Sequence, residues 1–274
     1  MTAAAPTVTG AARIRAAFEQ AASQRRAALV PYLVAGRPSV ADVPRLVADV
    51  VAAGADLVEL GIPFSDPLAD GPVIRDATRR ALDDGVTVAG VLDIVRAIRA
   101  AGVDVPLVGM GYVNPLIAYG LERFCVDAAA AGLDGLIIPD VRLEQANELR
   151  AAVAAAGLGI TFLATPLTSD DRIAELAAAS SGFLYAVATT GTTGARADVA
   201  EATIELLDRA RAAAGGVPVA VGFGVSLPAH VERLAPHADG VIVGSALVEL
   251  VEQDRDAAVT RVRELASATA RGGA

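Results

Sequence analysis

The stretch Asp56-Leu57-Val58-Glu59-Leu60-Gly61-Ile62-Pro63-Phe64-Ser65-Asp66-Pro67-Leu68-Ala69-Asp70-Gly71-Pro72, with the helical pattern over 73–83 behind it, decides the fold. Residues 56–60 make a short apolar run of strand length. Prolines 63, 67 and 72 then stiffen a loop, and a helix follows. A strand with few charges on either side that feeds a helix belongs to a parallel sheet covered on both faces. Outward from this unit the same alternation fills the chain. Strands are expected at 28–34, 56–60, 106–110, 135–138, 159–163, 182–187, 218–222 and 240–243. Helical patterns separate them at 40–53, 73–83, 88–101, 121–131, 144–156, 170–179, 199–213 and 227–235, with two more at 246–253 and 256–270. Ala-Gly pairs close several helices at Gly54, Gly102, Gly132 and Gly157, as a left-handed C-cap requires. Eight such units in 274 residues predict an α/β fold, a single (β/α)8 TIM barrel with 1–274 as one domain. An extra N-terminal helix over 11–23 carries Ile14, Phe18 and Ala21 on one stripe.

The composition excludes much chemistry. Lys+Arg number 23 against 32 Asp+Glu, a net charge of −9, and the pI is near 4.8. Such a balance argues against nucleic-acid or anionic-membrane partners, which need a basic patch. Every basic residue is arginine. Without lysine there is no Schiff-base aldolase, no enzyme with its own pyridoxal phosphate and no Walker-type phosphate loop. The one cysteine, Cys125, permits no internal disulfide and suits a reducing cytoplasm, where it reads as a small core hydrophobe. His230 and His237 have no second cluster to complete a metal site. Mean hydropathy is +0.49, yet the charge-free stretches 151–169 and 212–231 are cut by Gly and Pro, so neither reads as a membrane span. Acid–base work therefore falls to carboxylates.

In a barrel of this kind, function gathers at the C-terminal ends of the strands and in the loops that follow. Glu59 lies there, opposite in sense to Val58 and Leu60 in a strand whose two faces should both be buried. A buried carboxylate is costly unless paired or protonated. It is either an acid satisfied by a neighbouring hydroxyl or a general acid/base with a raised pKa. Asp70 either caps the helix from Val73 or forms with Glu59 a carboxylate pair facing the barrel mouth. Gly222-Phe223-Gly224-Val225-Ser226 follows the seventh strand and Gly244-Ser245 the eighth, each leading into a helix. Glycines let the backbone approach closely and helix N-termini present free N–H groups, so both point to a phosphate. The run 189–196, rich in Thr and Gly, reads as a lid or as a plain surface loop.

In this order the residues resemble the tryptophan synthase α chain family, the indole-3-glycerol-phosphate lyases, from about residue 15 to 270. The run 58–72 carries the resemblance, supported by Tyr112 with Asn114-Pro115, Ile138-Pro139-Asp140, 191–194, Gly222-Phe223-Gly224 and Gly244-Ser245. The family implies a cofactor-free and metal-free retro-aldol cleavage of indole-3-glycerol phosphate to indole and glyceraldehyde 3-phosphate. Protonating the indole at C3 creates an indolenine, the electron sink that a Schiff base would otherwise supply. By resemblance Glu59 is the acid/base that handles the C3 and hydroxyl protons, and Asp70 holds the indole N–H and steadies the positive charge growing there. Substrate contacts are implied for Tyr32, Met110, Tyr112, Ile137, Leu163, Tyr185 and Thr193, and phosphate contacts for Gly194, Phe223, Gly224, Gly244 and Ser245. The family's partner is a β chain in an α2β2 heterotetramer, met through Pro63, Phe64 and Asp66. Departures are Arg75, where an uncharged Gln is usual, the slim Gly109 and Gly111, and Thr192, where Val is frequent. The competing readings are a free-standing lyase, a catalytically idle docking subunit, and another phosphate-binding barrel such as an isomerase.

Overall fold

The computed structural model describes residues 8–188, 201–222 and 224–271. Seven consecutive residues, Ala28–Val34, form β1, and all seven are buried, as a parallel strand covered on both faces requires. The other strands are β2 (Val58–Gly61), β3 (Leu107–Met110), β4 (Gly135–Ile137), β5 (Gly159–Thr161), β6 (Leu163–Ala164), β7 (Leu184–Val187), β8 (Val219–Gly222) and β9 (Gly240–Val243). All pair in parallel, in the order β5-β4-β3-β2-β1-β9-β8-β7-β6. Only Phe162 separates β5 from β6, so the two are halves of one kinked strand whose halves pair with opposite ends of the row. The eightfold barrel is thereby closed. At the kink the Ser180 and Ser181 hydroxyls accept the N–H groups of Phe162 and Ile160, replacing ladder bonds.

The helices are α1 (Gly10–Ser23), α2 (Val43–Ala52), α3 (Pro72–Asp83), α4 (Val88–Ala100), α5 (Val113–Tyr119), α6 (Leu121–Ala131), α7 (Asn147–Ala155), α8 (Asp170–Ala179), α9 (Glu201–Ala213), α10 (Pro228–Leu234), α11 (Ser245–Gln253) and α12 (Arg255–Ser267). The expected Ala-Gly closures hold, with φ of +115° at Gly54, +85° at Gly102, +106° at Gly132 and +73° at Gly157. The sequence pattern gives no helix at α5, which contains Asn114-Pro115. Its first N–H, Val113, is capped by the Asp140 carboxylate at 3.1 Å, a partner 27 residues away. The pattern at 144–156 divides into a short 3-10 turn, Leu143–Gln145, and α7. The last helix stops at Ser267, and Ala270 forms an antiparallel bridge with Arg26 instead.

The N-terminal face of the barrel is sealed. Ile14, Phe18 and Ala21 of α1 are buried, and the strand-leading glycines make room for them. A Cβ at Gly135 would lie 2.7 Å from Ile14 Cδ1, and one at Gly240 2.6 Å from Phe18 Cε1. Around the same rim three aspartates repeat one device. Asp56, Asp134 and Asp239 each accept the N–H of a neighbouring strand start, from Leu29, Leu107 and Val219 at 2.8, 2.8 and 3.0 Å. Each is also gripped by arginine: Arg26 on Asp56, Arg13 and Arg99 on Asp134, Arg271 on Asp239. Register is pinned at this end, which leaves the opposite, C-terminal rim to hold a site.

Candidate active site

Glu59 sits in β2 directly beside Tyr32 of β1 in the ladder, so both side chains leave the same face of the sheet, into the barrel. Tyr32 extends across the end of β2, where only glycine fits: a Cβ at Gly61 would stand 2.2 Å from the Tyr32 hydroxyl. Tyr185 of β7 does the same over β8, with its hydroxyl 1.9 Å from a Cβ built at Gly222. Two rings and one carboxyl are thus brought over the top of the barrel by the ladder and by glycines at two strand ends.

They open into a cavity of ≈ 230 Å³. Tyr32, Glu59, Asp70, Met110, Tyr185, Gly224, Gly244 and Ser245, all singled out in the sequence, line it. Ile74, Val225, Ser226, Ile242 and Ala246 line it as well. The signal for Val225 and Ser226 was their place in the glycine run; Ile74, Ile242 and Ala246 carried none beyond adjacency. Ile137 is fully buried in β4 beside Met110, and Leu163 stands in β6 beside Tyr185. Both belong to the barrel wall and are not among the lining residues. Thr193, Gly194, Phe223 and the run 189–196 lie outside the described residues.

Asp70 does not cap α3. The N-cap is Gly71, with no side-chain cap bond, and the Asp70 carboxylate instead accepts from the Tyr112 hydroxyl. That hydroxyl in turn accepts the Ala69 N–H at 3.0 Å, and Phe64 packs on the Tyr112 ring with centroids 5.4 Å apart. Tyr112 therefore fastens the loop from β2 to α3 and aims its acid inward. Of the residues assigned to a partner contact, Asp66 is exposed, Phe64 half-buried and Pro63 buried. Leu68 beside them is 93% exposed, and Leu167, after β6 on the same rim, 96%.

The two carboxyls are driven apart. Glu59 is buried and its Oε2 has no hydrogen-bond partner among the described residues. Burial first, and the charge of Asp70 second, push it up to about 8. Burial also raises Asp70, but only to about 6, because the Tyr112 hydroxyl and the Arg75 charge favour its ionised form. At pH 7 Glu59 is then roughly nine-tenths protonated and Asp70 roughly nine-tenths ionised. One cavity holds a neutral acid and an anion, the division that acid–base chemistry needs. Burial and the nearby acids raise the Tyr32 and Tyr185 hydroxyls well above the usual range, so both remain O–H groups. At the end of β9 Gly244 caps α11 with no side chain on the free amides, and among the described residues no arginine lines the cavity. An anion there meets backbone N–H groups, the helix dipole and the Ser245 hydroxyl.

A family model described as "Tryptophan synthase alpha chain" matches residues 18–272. The chain belongs to the tryptophan synthase alpha chain family. It is 48% identical over 264 residues to the tryptophan synthase alpha chain of Chloroflexus aggregans, covering 94% of this chain and 98% of that one. With the alpha chain of Phenylobacterium zucineum the identity is 48% over 245 residues, 89% and 88% of the two chains. Among solved structures, a Mycobacterium tuberculosis tryptophan synthase superposes with TM-score 0.88 at 40% identity, over 95% of this chain and 99% of that one. The tryptophan synthase alpha chain of Legionella pneumophila gives 0.85 at 32% identity, over 96% and 98%. Membership in the tryptophan synthase alpha chain family agrees with the barrel and with the resemblance carried by 58–72.

Proposed function

We propose that this chain is the α subunit of a tryptophan synthase and that its cavity cleaves indole-3-glycerol phosphate to indole and glyceraldehyde 3-phosphate. The observation that carries the reading is the division of protons between Glu59 and Asp70 in one cavity. Glu59 gives its proton to indole C3, which turns the ring into an indolenine with positive charge on nitrogen. The Asp70 anion accepts the ring N–H and stabilises that charge. Glu59, now a carboxylate, takes the proton of the side-chain hydroxyl next to C3. The carbonyl forms, the bond to C3 breaks, and its electron pair neutralises the ring nitrogen. Glu59 ends protonated, as it began, so a pKa above neutrality suits it at both ends of the cycle. The phosphate rests at the α11 N-terminus and on Ser245, with Gly224 allowing close approach.

A β chain is the proposed partner, in an α2β2 assembly, and the rim with exposed Asp66, Leu68 and Leu167 is the surface offered to it. The cytosol is the proposed compartment. Among the described residues no helix is long and apolar enough to cross a membrane.

The test is to incubate the purified protein with indole-3-glycerol phosphate and follow glyceraldehyde 3-phosphate with a coupled dehydrogenase, with and without a β chain. Slow release that accelerates with the β chain supports the bienzyme reading, and fast release alone points to a free-standing lyase. Glu59→Gln lowers turnover by about 10³-fold. No release in either condition overturns the proposal.

A further inference from the structure

Two helices deliver the two ends of the cavity. α3 begins two residues after Asp70 and places Ile74 in the lining, while α11 begins at Ser245, with Gly244 and Ala246 beside it in the same lining. They pack on each other and both pack on β1. Each is an extra helix inserted ahead of the next, α4 and α12. At their far ends one carboxylate joins them. Glu252, in the last turn of α11, takes Arg37 Nε at 2.5 Å and Arg37 Nη2 at 2.7 Å on its two oxygens, and Arg80 Nη1 of α3 at 2.9 Å. The remaining arm of Arg37 reaches Asp84, the C-cap of α3, at 2.8 Å. The Arg37 and Glu252 side chains are each 12% exposed. A bidentate, charge-assisted grip of this kind is directional. As a buried ion pair it adds little stability beyond what apolar side chains would give, so its value lies in fixing geometry.

We infer that Glu252 is a positioning residue: held by Arg37 and Arg80, it locks α3 to α11 and so sets the distance between the Asp70 end and the phosphate end of the cavity. The inference rests on the reading of the cavity given above. A ligand that spans both ends gains because, once one end is bound, the other binds at high effective concentration. Releasing the lock leaves each half-site whole but spreads their spacing, so the gain from linkage falls.

Glu252→Gln keeps the shape and removes the charge, and Arg80→Met removes the half-exposed arm. Titration calorimetry measures three ligands on each protein: indole, glycerol 3-phosphate, and indole joined to phosphate by a three-carbon chain. The linked ligand is expected to weaken about tenfold in Glu252→Gln and about threefold in Arg80→Met, with both fragments within about twofold of wild type. Arg80→Lys restores most of the loss, and kcat/KM for the substrate falls in step with the linked ligand. Should Glu252→Gln fail to fold, Arg80→Met carries the same comparison. Equal weakening of fragments and linked ligand, or no weakening of the linked ligand, overturns the inference. A wild-type protein that binds neither fragment overturns the reading of the cavity itself, before any variant is compared.

Discussion

Replacing Glu59 by Gln should stabilise this protein while lowering its proposed turnover about 10³-fold, and the gain should grow with pH. The carboxyl is 1% exposed, its Oε2 lacks a hydrogen-bond partner among the described residues, and its pKa is lifted from 4.5 to about 8. A carboxyl raised in the folded state holds its proton more tightly there than in the unfolded chain. Its cost is therefore absent below pH 4.5, grows as pH climbs, and is complete above about 8. At about 1.36 kcal/mol per pH unit the ionised native protein bears a penalty on the order of 5 kcal/mol. The same linkage leaves less than about 1 kcal/mol of it at pH 5 and about 4–5 kcal/mol at pH 8.5. Gln carries no such penalty. Urea denaturation of both proteins at the two pH values isolates Glu59 and its coupling to Asp70, because the titrating groups that do not interact with Glu59 are common to both and cancel. The stability gap should widen by about 4 kcal/mol, which moves the difference in midpoints by about 1 M or more at an m-value near 3 kcal/mol/M. A gap that is the same at both pH values would refute the claim that Glu59 is buried as an unsatisfied acid.

Three further outcomes follow from the same geometry. Tyr112→Phe removes the hydroxyl that lowers Asp70, so the acid limb of the kcat/KM–pH profile should move to higher pH. The alkaline limb, set by Glu59, should stay near 8, and an unmoved acid limb breaks the link. Gly222→Ala puts a Cβ 1.9 Å from the Tyr185 hydroxyl, which forces that ring to move. KM for indole-3-glycerol phosphate should rise by about tenfold or more, roughly 1.4 kcal/mol of lost binding, and a normal KM would mean that Tyr185 does not shape the cavity. Asp134→Asn strips the shared partner from Arg13 and Arg99 at the sealed end of the barrel. Thermal or chemical unfolding should show a loss of about 2–3 kcal/mol, less than for a fully buried pair because both arginines are partly exposed. Since this face lies opposite the cavity, kcat and KM should not change, and a large kinetic effect would contradict the separation of the two ends.

The barrel was legible because a parallel strand covered on both faces leaves a short apolar run between turn signals, whatever it pairs with. β1 and β9 fall on the expected 28–34 and 240–243, and the other strands differ at their ends by one or two residues. The additional strand is β6: the apolar run is continuous through 159–164, and the kink shows only in the pairing of its halves with opposite ends of the row and in the hydroxyls of Ser180 and Ser181. Glu59 stood out as an acid inside an apolar strand, and Asp70 as an acid on a loop stiffened by three prolines. What Asp70 does with its oxygens was open, because its partner Tyr112 comes from the end of another strand.

By itself, then, the sequence determined the alternation of eight strand runs with the main helices, the rim on which a site belongs, and the acids able to serve there. These follow from period, burial and turn chemistry, which act over a few residues. The tertiary structure alone decided which acid keeps its proton, because desolvation of Glu59 and the support given to Asp70 by Tyr112 and Arg75 arise only when separate strands and loops close round one cavity. It alone supplied the cap of α5, an Asp140 carboxylate 27 residues from the N–H it accepts. It alone brought Arg37, Arg80 and Glu252 together from segments up to 215 residues apart. A pattern of neighbours along a chain carries no information about such distances; only the closing of the barrel supplies it.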